Sequence, residues 1–200
     1  MSLGDRIDRV DDATLLAGLP ADFGPLTLPS DPLEAGWAQV RLEDLAAHHQ
    51  DRHAPGYLAL RNHRFGNWRM TVSPKAARAP LSVLYRRRAR YLRNVVGVEL
   101  PYDARVGRRV TIEHNGGIVV HGRTVIGDGC VLRQGCTLGI RSLTRLDEAP
   151  VLGAGVELGA GAVLMGRVRL GDGSRVGANA VVTRDVPAGV TVVGVPARPL

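Results

Sequence analysis

The sequence predicts a mainly β protein, a parallel β-helix preceded by a small α-helical region, and three observations carry that prediction. Aliphatic residues recur every six positions through the second half of the chain, Gly accounts for 25 of the 200 residues, and aromatic residues for only 4%. Frequent tight turns with few bulky rings suit a coil of short strands better than an ordinary globular core. A chain of this length buries one sizeable core, or one core with a helical appendage, and no more.

Residues 1–98 read as the helical region and 99–200 as the β-helix with a C-terminal cap. Ser30-Asp31-Pro32-Leu33-Glu34 combines a capping residue, a proline suited to the first helical position and an acid able to reach back, so a helix is expected from there towards His49. Tyr57 to Met70 reads as a second helix with a break near Gly66. After Pro80, the apolar series Leu81, Leu84, Tyr85, Leu92, Val95 and Val96 predicts an amphipathic helix. Its basic residues Arg86, Arg87, Arg88, Arg90 and Arg93 read first as a solvated face, with a subunit contact or a phosphate site as alternatives.

From Val106 the period becomes six. Aliphatic residues stand at Val106, Ile112, Ile118, Ile126, Leu132, Leu138, Leu152, Leu158, Leu164, Leu170, Val176 and Val182, with insertions expected before Ile126 and before Leu152. Small or β-branched residues follow four positions later, among them Val110, Cys130, Cys136, Val156, Ala162, Val168, Ser174, Ala180 and Val186. Six residues fit a short strand plus a corner, and three such units close a triangular coil of eighteen. Each aliphatic then stacks on its counterpart at about the 4.8 Å strand spacing. Gly follows the aliphatic at 107, 127, 139, 153, 159, 171 and 177, where it is expected to supply turn conformations. The register is lost at Ala188, and the tail through Gly194-Val195-Pro196-Ala197-Arg198 is expected to cover the end of the coil.

The stretch from Met1 to Pro20 carries charge from Asp5 onward and no sustained apolar run, which predicts a soluble, cytoplasmic chain with neither leader nor membrane span. The net charge of +7 favours an acidic partner without requiring nucleic acid, and none is expected. Cys130 and Cys136 are too few for a disulfide framework, lack zinc-site spacing and are expected to be buried thiols. His48, His49 and His53 form a cluster without accompanying ligands and read as an exposed helix end, so no metal is expected.

Three segments carry a family resemblance: Arg64-Phe65-Gly66-Asn67-Trp68, Ile112-Glu113-His114-Asn115-Gly116-Gly117-Ile118-Val119-Val120, and Gly194-Val195-Pro196-Ala197-Arg198. Over roughly residues 57 to 200 the chain resembles the hexapeptide acyltransferases, and within them the serine O-acetyltransferase family, especially members with a shortened helical N-terminus found among polysaccharide-biosynthesis proteins. The resemblance implies a left-handed coil, acetyl-CoA as co-substrate, a homotrimer or a multiple of it, and transfer to a hydroxyl of a small molecule. It implies His114 as catalytic base, with Glu99, where the family has Asp, as its carboxylate partner. It places backbone cofactor contacts at Ala160 and Ala178, and substrate contacts at Asp147, Asn115 and His121. The serine-specific members carry Asp-Arg-His-Pro where this chain has Asp147-Glu148-Ala149-Pro150, so serine specificity is less implied than acetyl transfer.

The chemistry fits those residue types. A hydroxyl attacks a thioester well only as its proton leaves, and a neutral imidazole of pKa about 6.5 can take it. A carboxylate on the other ring nitrogen fixes the tautomer, and backbone N–H groups of Asn115 to Gly117 or of the long loop can hold the oxyanion. Alternatives are an acetyltransferase acting on a sugar or polysaccharide precursor, a zinc carbonic-anhydrase-like enzyme on the same repeat, and a non-catalytic trimeric scaffold. The zinc reading needs three histidines, and only His114 and His121 lie within the repeats.

Overall fold

A computed structural model describes residues 10–200, and the charged residues before Val10 lie outside the described residues. Three parallel sheets form the faces of a left-handed triangular prism. The first face holds β1 (Val98–Glu99), β4 (Ile118–Val120), β7 (Thr137–Gly139), β10 (Val163–Met165) and β13 (Val181–Val182). The second holds β2 (Arg105–Val106), β5 (Val125–Ile126), β8 (Val151–Leu152) and β11 (Arg169–Leu170). The third holds β3 (Thr111–Ile112), β6 (Val131–Leu132), β9 (Glu157–Leu158), β12 (Arg175–Val176), β14 (Thr191–Val193) and β15 (Arg198–Pro199). All neighbours pair in parallel except β15, which folds back antiparallel on β14 and covers its edge. Every expected aliphatic and small corner residue is buried in the prism interior. Each such Leu or Ile contributes about 1.5–3 kcal/mol of burial.

The register differs from the sequence reading at one place. Val120 pairs with Leu138, and Ile118 falls in line with the small residue Cys136. The two extra residues of the first complete coil therefore lie in the Glu113–Gly117 corner rather than before Ile126. Ile118 is tolerated at a small-residue position because only β1 lies above it, at the open end of the coil. The glycines also divide into two kinds. Those following an aliphatic have ordinary φ and are required for close approach: a Cβ on Gly127 would lie 2.2 Å from the Gly153 carbonyl oxygen. The left-handed corners fall two residues later, as at Gly129 and Gly135, and Asn179 adopts the same conformation at φ 56°.

The helical region corrects three boundaries. Gly36, at φ 85°, interrupts the helix expected from Pro32, leaving a 3₁₀ turn at Pro32–Ala35 and α2 at Trp37–Ala47, after a short α1 at Asp12–Leu16. Helix α3, Pro55–Thr71, is unbroken at Gly66, where Tyr85 and Tyr102 press so close that a Cβ would lie 2.5 Å from the Cβ of Tyr102. Helix α4, Lys75–Tyr91, starts before Pro80; the carbonyl this proline leaves unbonded belongs to exposed Ala76. A π-helical turn, Leu92–Val96, follows and stops at left-handed Gly97.

Two devices tie this region to the prism. Asp44 on α2 and Arg64 on α3, each about 1% exposed, form an ion pair at 3.0 Å, while Arg64 also donates to the carbonyls of Val106 at 2.7 Å and Gly107 at 2.5 Å. Further upstream, residues 11–29 cross the second face and return. Phe23 meets the lowest coil through Ala188, Leu15 packs on Val125 and Val151, and Asp12 pairs with Arg105 in the uppermost coil. Among the described residues no helix is long and apolar enough to cross a membrane.

Candidate active site

The corner between β3 and β4 is the only one on its edge lengthened by two residues, and it carries His114. His114 is exposed with φ 65°, a left-handed conformation that costs a non-glycine residue of order 1–3 kcal/mol and clusters at functional sites. The backbone N–H groups of His114, Asn115, Gly116 and Gly117 donate to no described residue. These N–H groups, three of them on residues at positive φ, are left available to an anion such as a developing oxyanion. Asn115 is exposed beside them.

Below this corner the same edge continues as a column. Gly116, Gln134, Ala160 and Ala178 occupy equivalent places in successive coils, linked by the bonds Gly135 N–H to Gly116 O, Gly161 N–H to Gln134 O and Asn179 N–H to Ala160 O, each 2.8–2.9 Å. Thus His114, Asn115, Ala160 and Ala178 share one edge of the prism. Small side chains at Ala160 and Ala178 leave the backbone of that edge open to a long, thin ligand.

Glu99 lies on the first face in register with Val119, above the edge just described. Its carboxylate is 3.9 Å from Arg93, and no hydrogen bond joins it to His114. It also lines a cleft of about 290 Å³ between α3, α4, the π-helical turn and β1, together with Ala59, Asn62, Arg86, Arg90 and Leu92. Strand β1 follows directly from Gly97, whose carbonyl accepts from Ile118 N–H at 3.0 Å, so the cleft opens immediately above the His114 corner.

Asp147 and His121 sit on the next edge, between the first and second faces. Asp147 is 3.3 Å from the Arg123 guanidinium, and His121 Nδ1 accepts from Arg123 N–H at 3.3 Å. Within one chain these two do not converge with His114. The loop from Ile140 to Pro150 joins β7 to β8 at that edge. Arg141 donates to the carbonyls of Met165 at 3.2 Å and Thr183 at 2.8 Å, Arg145 pairs with Glu148 at 3.3 Å, and Ala149 is buried.

Cys130 and Cys136 are buried, free thiols bonded to the Gly153 and Gly159 carbonyls, and burial pushes Cys130 up to about 12. Neither is a nucleophile at neutral pH. His49 and His53 are exposed, but His48 is buried, contrary to the sequence reading. Its Nδ1 donates to Asp44 O at 2.7 Å and its Nε2 accepts from Ile112 N–H at 3.1 Å, so it joins α2 to β3. Sequence reasoning missed this role, and it missed the cleft; the arginine spacing along α4 was the one visible signal of the latter.

Comparison with known proteins gives consistent results. Residues 149–184 match the family model described as bacterial transferase hexapeptide (six repeats). The serine acetyltransferase of Synechococcus elongatus is 37% identical over 144 residues, covering 72% of this chain and 56% of that protein. The structure of soybean serine acetyltransferase apoenzyme is similar with a TM-score of 0.69 and 32% identity, covering 81% of this chain and 68% of that one. The structure of serine acetyltransferase from Brucella abortus in complex with coenzyme A is similar with a TM-score of 0.71 and 29% identity, covering 84% and 70%. The chain spans little more than half the length of the Synechococcus relative it matches.

Proposed function

We propose that this chain, which belongs to the serine acetyltransferase family of hexapeptide transferases, is an acetyl-CoA-dependent O-acetyltransferase acting on a hydroxyl of a small molecule. The observation that carries the reading is the single edge on which exposed His114, four free N–H donors and the column through Ala160 and Ala178 lie together. Acetyl-CoA, the co-substrate, would lie along that column with its thioester at the top. His114 takes the acceptor's proton as the hydroxyl attacks, the free N–H groups hold the oxyanion, and His114 returns the proton to the departing thiolate. Glu99 serves as the positioning carboxylate once it turns from Arg93 to the ring. Asp147 and His121, on the neighbouring edge, contact substrate across a subunit boundary.

That boundary is supported by the first face, where the outward column Glu99, Val119, Thr137, Val163 and Val181 is apolar at three of its five positions, Val119 being 43% exposed. A threefold assembly would set one chain's His114 edge against its neighbour's Asp147 edge, and light scattering should report three chains or a multiple. We place the enzyme in the cytoplasm.

The acceptor reading departs from the relatives. Glu148 and buried Ala149 offer nothing to a carboxylate, and Arg141 and Arg145 are already engaged. Free L-serine is therefore a poor acceptor, and a sugar-like or other small hydroxyl compound is preferred. Thiol release from acetyl-CoA across an acceptor panel, with mass analysis of the product, tests the activity. An L-serine efficiency of about 10⁴ M⁻¹s⁻¹ or above would sink the acceptor reading.

A further inference from the structure

The outer surface of the helical region has a composition that acetyl transfer does not use. Between Asp51 and Glu99 the chain carries eleven Lys and Arg and no acidic residue. Helix α3 lies across the upper end of the prism. Its Gly56 packs on the Ile112 carbonyl, His63 donates to Pro101 O at 2.9 Å and Arg64 to Val106 O at 2.7 Å, contacts that span the first coil from β1 round to β3. Leu58, Arg61, Phe65 and Trp68, spaced three or four apart on the opposite side of α3, therefore point away from the prism.

Both tryptophans of the chain and one of its two phenylalanines stand on that surface. Trp68 lies 6.4 Å from Trp37 of α2 and 5.8 Å from Phe65, ring centre to ring centre, and the Arg88 guanidinium sits 5.3 Å over Phe65. Nearby, Leu42 is 62% exposed and Tyr91 55%. A cleft of about 410 Å³ between α2 and α3 is floored by Leu42, Leu45 and Tyr57 and rimmed by Arg41, Arg52 and Arg61. None of these three arginines has a hydrogen bond or ion pair with a described residue; Arg61 only stacks 5.9 Å over Tyr57. Asp51, beside Arg52, accepts instead from the His53 N–H at 2.8 Å.

We propose that this helical surface docks the protein on an anionic lipid bilayer. Guanidinium groups without protein partners match lipid phosphates, and each basic group near a charged bilayer adds to the attraction. The aromatic cluster favours a bilayer over an acidic polypeptide, because indole rings settle at headgroup level with the ring body in the apolar zone and the N–H in the wet one. A second copy of the chain fits worse, since it would bring the same excess of arginines against this one. Attachment is to the surface only: among the described residues no helix is long and apolar enough to cross a membrane. The threefold assembly proposed above would turn three such surfaces to the same side and raise the avidity without any new contact. The inference rests on that assembly for avidity alone. Docking in this way sets the coil that carries His114 about one helix diameter, ~10–12 Å, from the headgroups.

The two tryptophans make the test local, because any change in indole fluorescence reports this surface. The full chain is mixed with vesicles of phosphatidylcholine alone, or of phosphatidylcholine with about one-third phosphatidylglycerol, and both co-sedimentation and tryptophan emission are followed. The expected result is binding to the anionic vesicles only, with a blue shift, quenching by bromine-labelled acyl chains, and release as NaCl rises from about 0.1 to 0.5 M. Arg41→Gln/Arg61→Gln should weaken the partition by roughly 30-fold per chain. No binding to the anionic vesicles, equal binding to the neutral ones, or binding without a tryptophan response overturns the proposal, as does undiminished binding of the double variant. An equal shift with poly-L-glutamate and no quenching by the labelled lipid overturns it in favour of an acidic polypeptide. A shift on raising protein concentration alone overturns it in favour of a second copy. If light scattering finds a single chain, the threefold reading fails by itself, and the tryptophan response to vesicles still decides the surface.

Discussion

The prism and the helical region bury different things. Inside the prism the buried set is aliphatic coil after coil, and its only buried polar side chains are Thr124 and Ser174. Between Asp44 and Arg69 the helices bury Asp44, His48, Asn62, His63, Arg64, Asn67 and Arg69. The prism is held by a repeated, non-directional term that any coil can share. The helical docking is held by a few directional bonds, each costly to break because its partner stays buried. The difference teaches where substitution should be tolerated: the repeat absorbs change locally, whereas the docking fails through single residues.

Breaking the clamp should have the largest effect. Asp44→Ala leaves Arg64 buried with no counter-charge and is expected to cost about 4 kcal/mol, measured by chemical denaturation. Hydrogen exchange should rise first in α2 and α3. A cost near that of an exposed ion pair would show that the docking does not depend on this contact. Leu158→Ala, in the middle of the prism, should cost about 3 kcal/mol. The same change at Leu132 or Leu164 should fall within about 1 kcal/mol of it, because the coils are equivalent in burial.

The smallest effect concerns Glu43, which joins α2 to the prism corner through Arg108. Hydrogen bonds from Arg108 and Gln39 lower it from 4.5 to about 2. A carboxyl lowered by folding stabilises above its unfolded value and loses that contribution as pH falls through its folded value. Glu43→Gln should therefore cost about 1 kcal/mol at pH 7, and the gap from wild type should close between about pH 4.5 and 2. A gap that persists at pH 2 would place the effect in packing rather than charge.

The same contrast explains what was legible. Val106, Leu132, Leu158 and the other stacked aliphatics could be read because each repeats a local rule, and the column through Ala160 and Ala178 followed from a spacing of eighteen. Ile118 misled because it keeps the six-residue spacing while standing at a different place in the coil. The Arg64 bond to Val106 spans 42 residues, and the Arg105 pairing with Asp12 spans 93, so neither leaves a periodic trace. Gly66 signalled a break by composition but serves close packing against Tyr102, a neighbour 36 positions away that no local rule identifies. The segment around His114 stands out in the sequence as a motif, whereas the cleft above it depends on how α4 lands on β1.

The central claim is that the lengthened corner carries the chemistry while the column beneath it only binds. His114→Ala, assayed where chemistry limits the rate, tests it most directly, with thermal unfolding and coenzyme A affinity measured alongside turnover. The expected result is a fall in kcat of roughly two to four orders of magnitude, with unfolding and coenzyme A affinity little changed. Turnover near that of the wild-type protein would contradict the account.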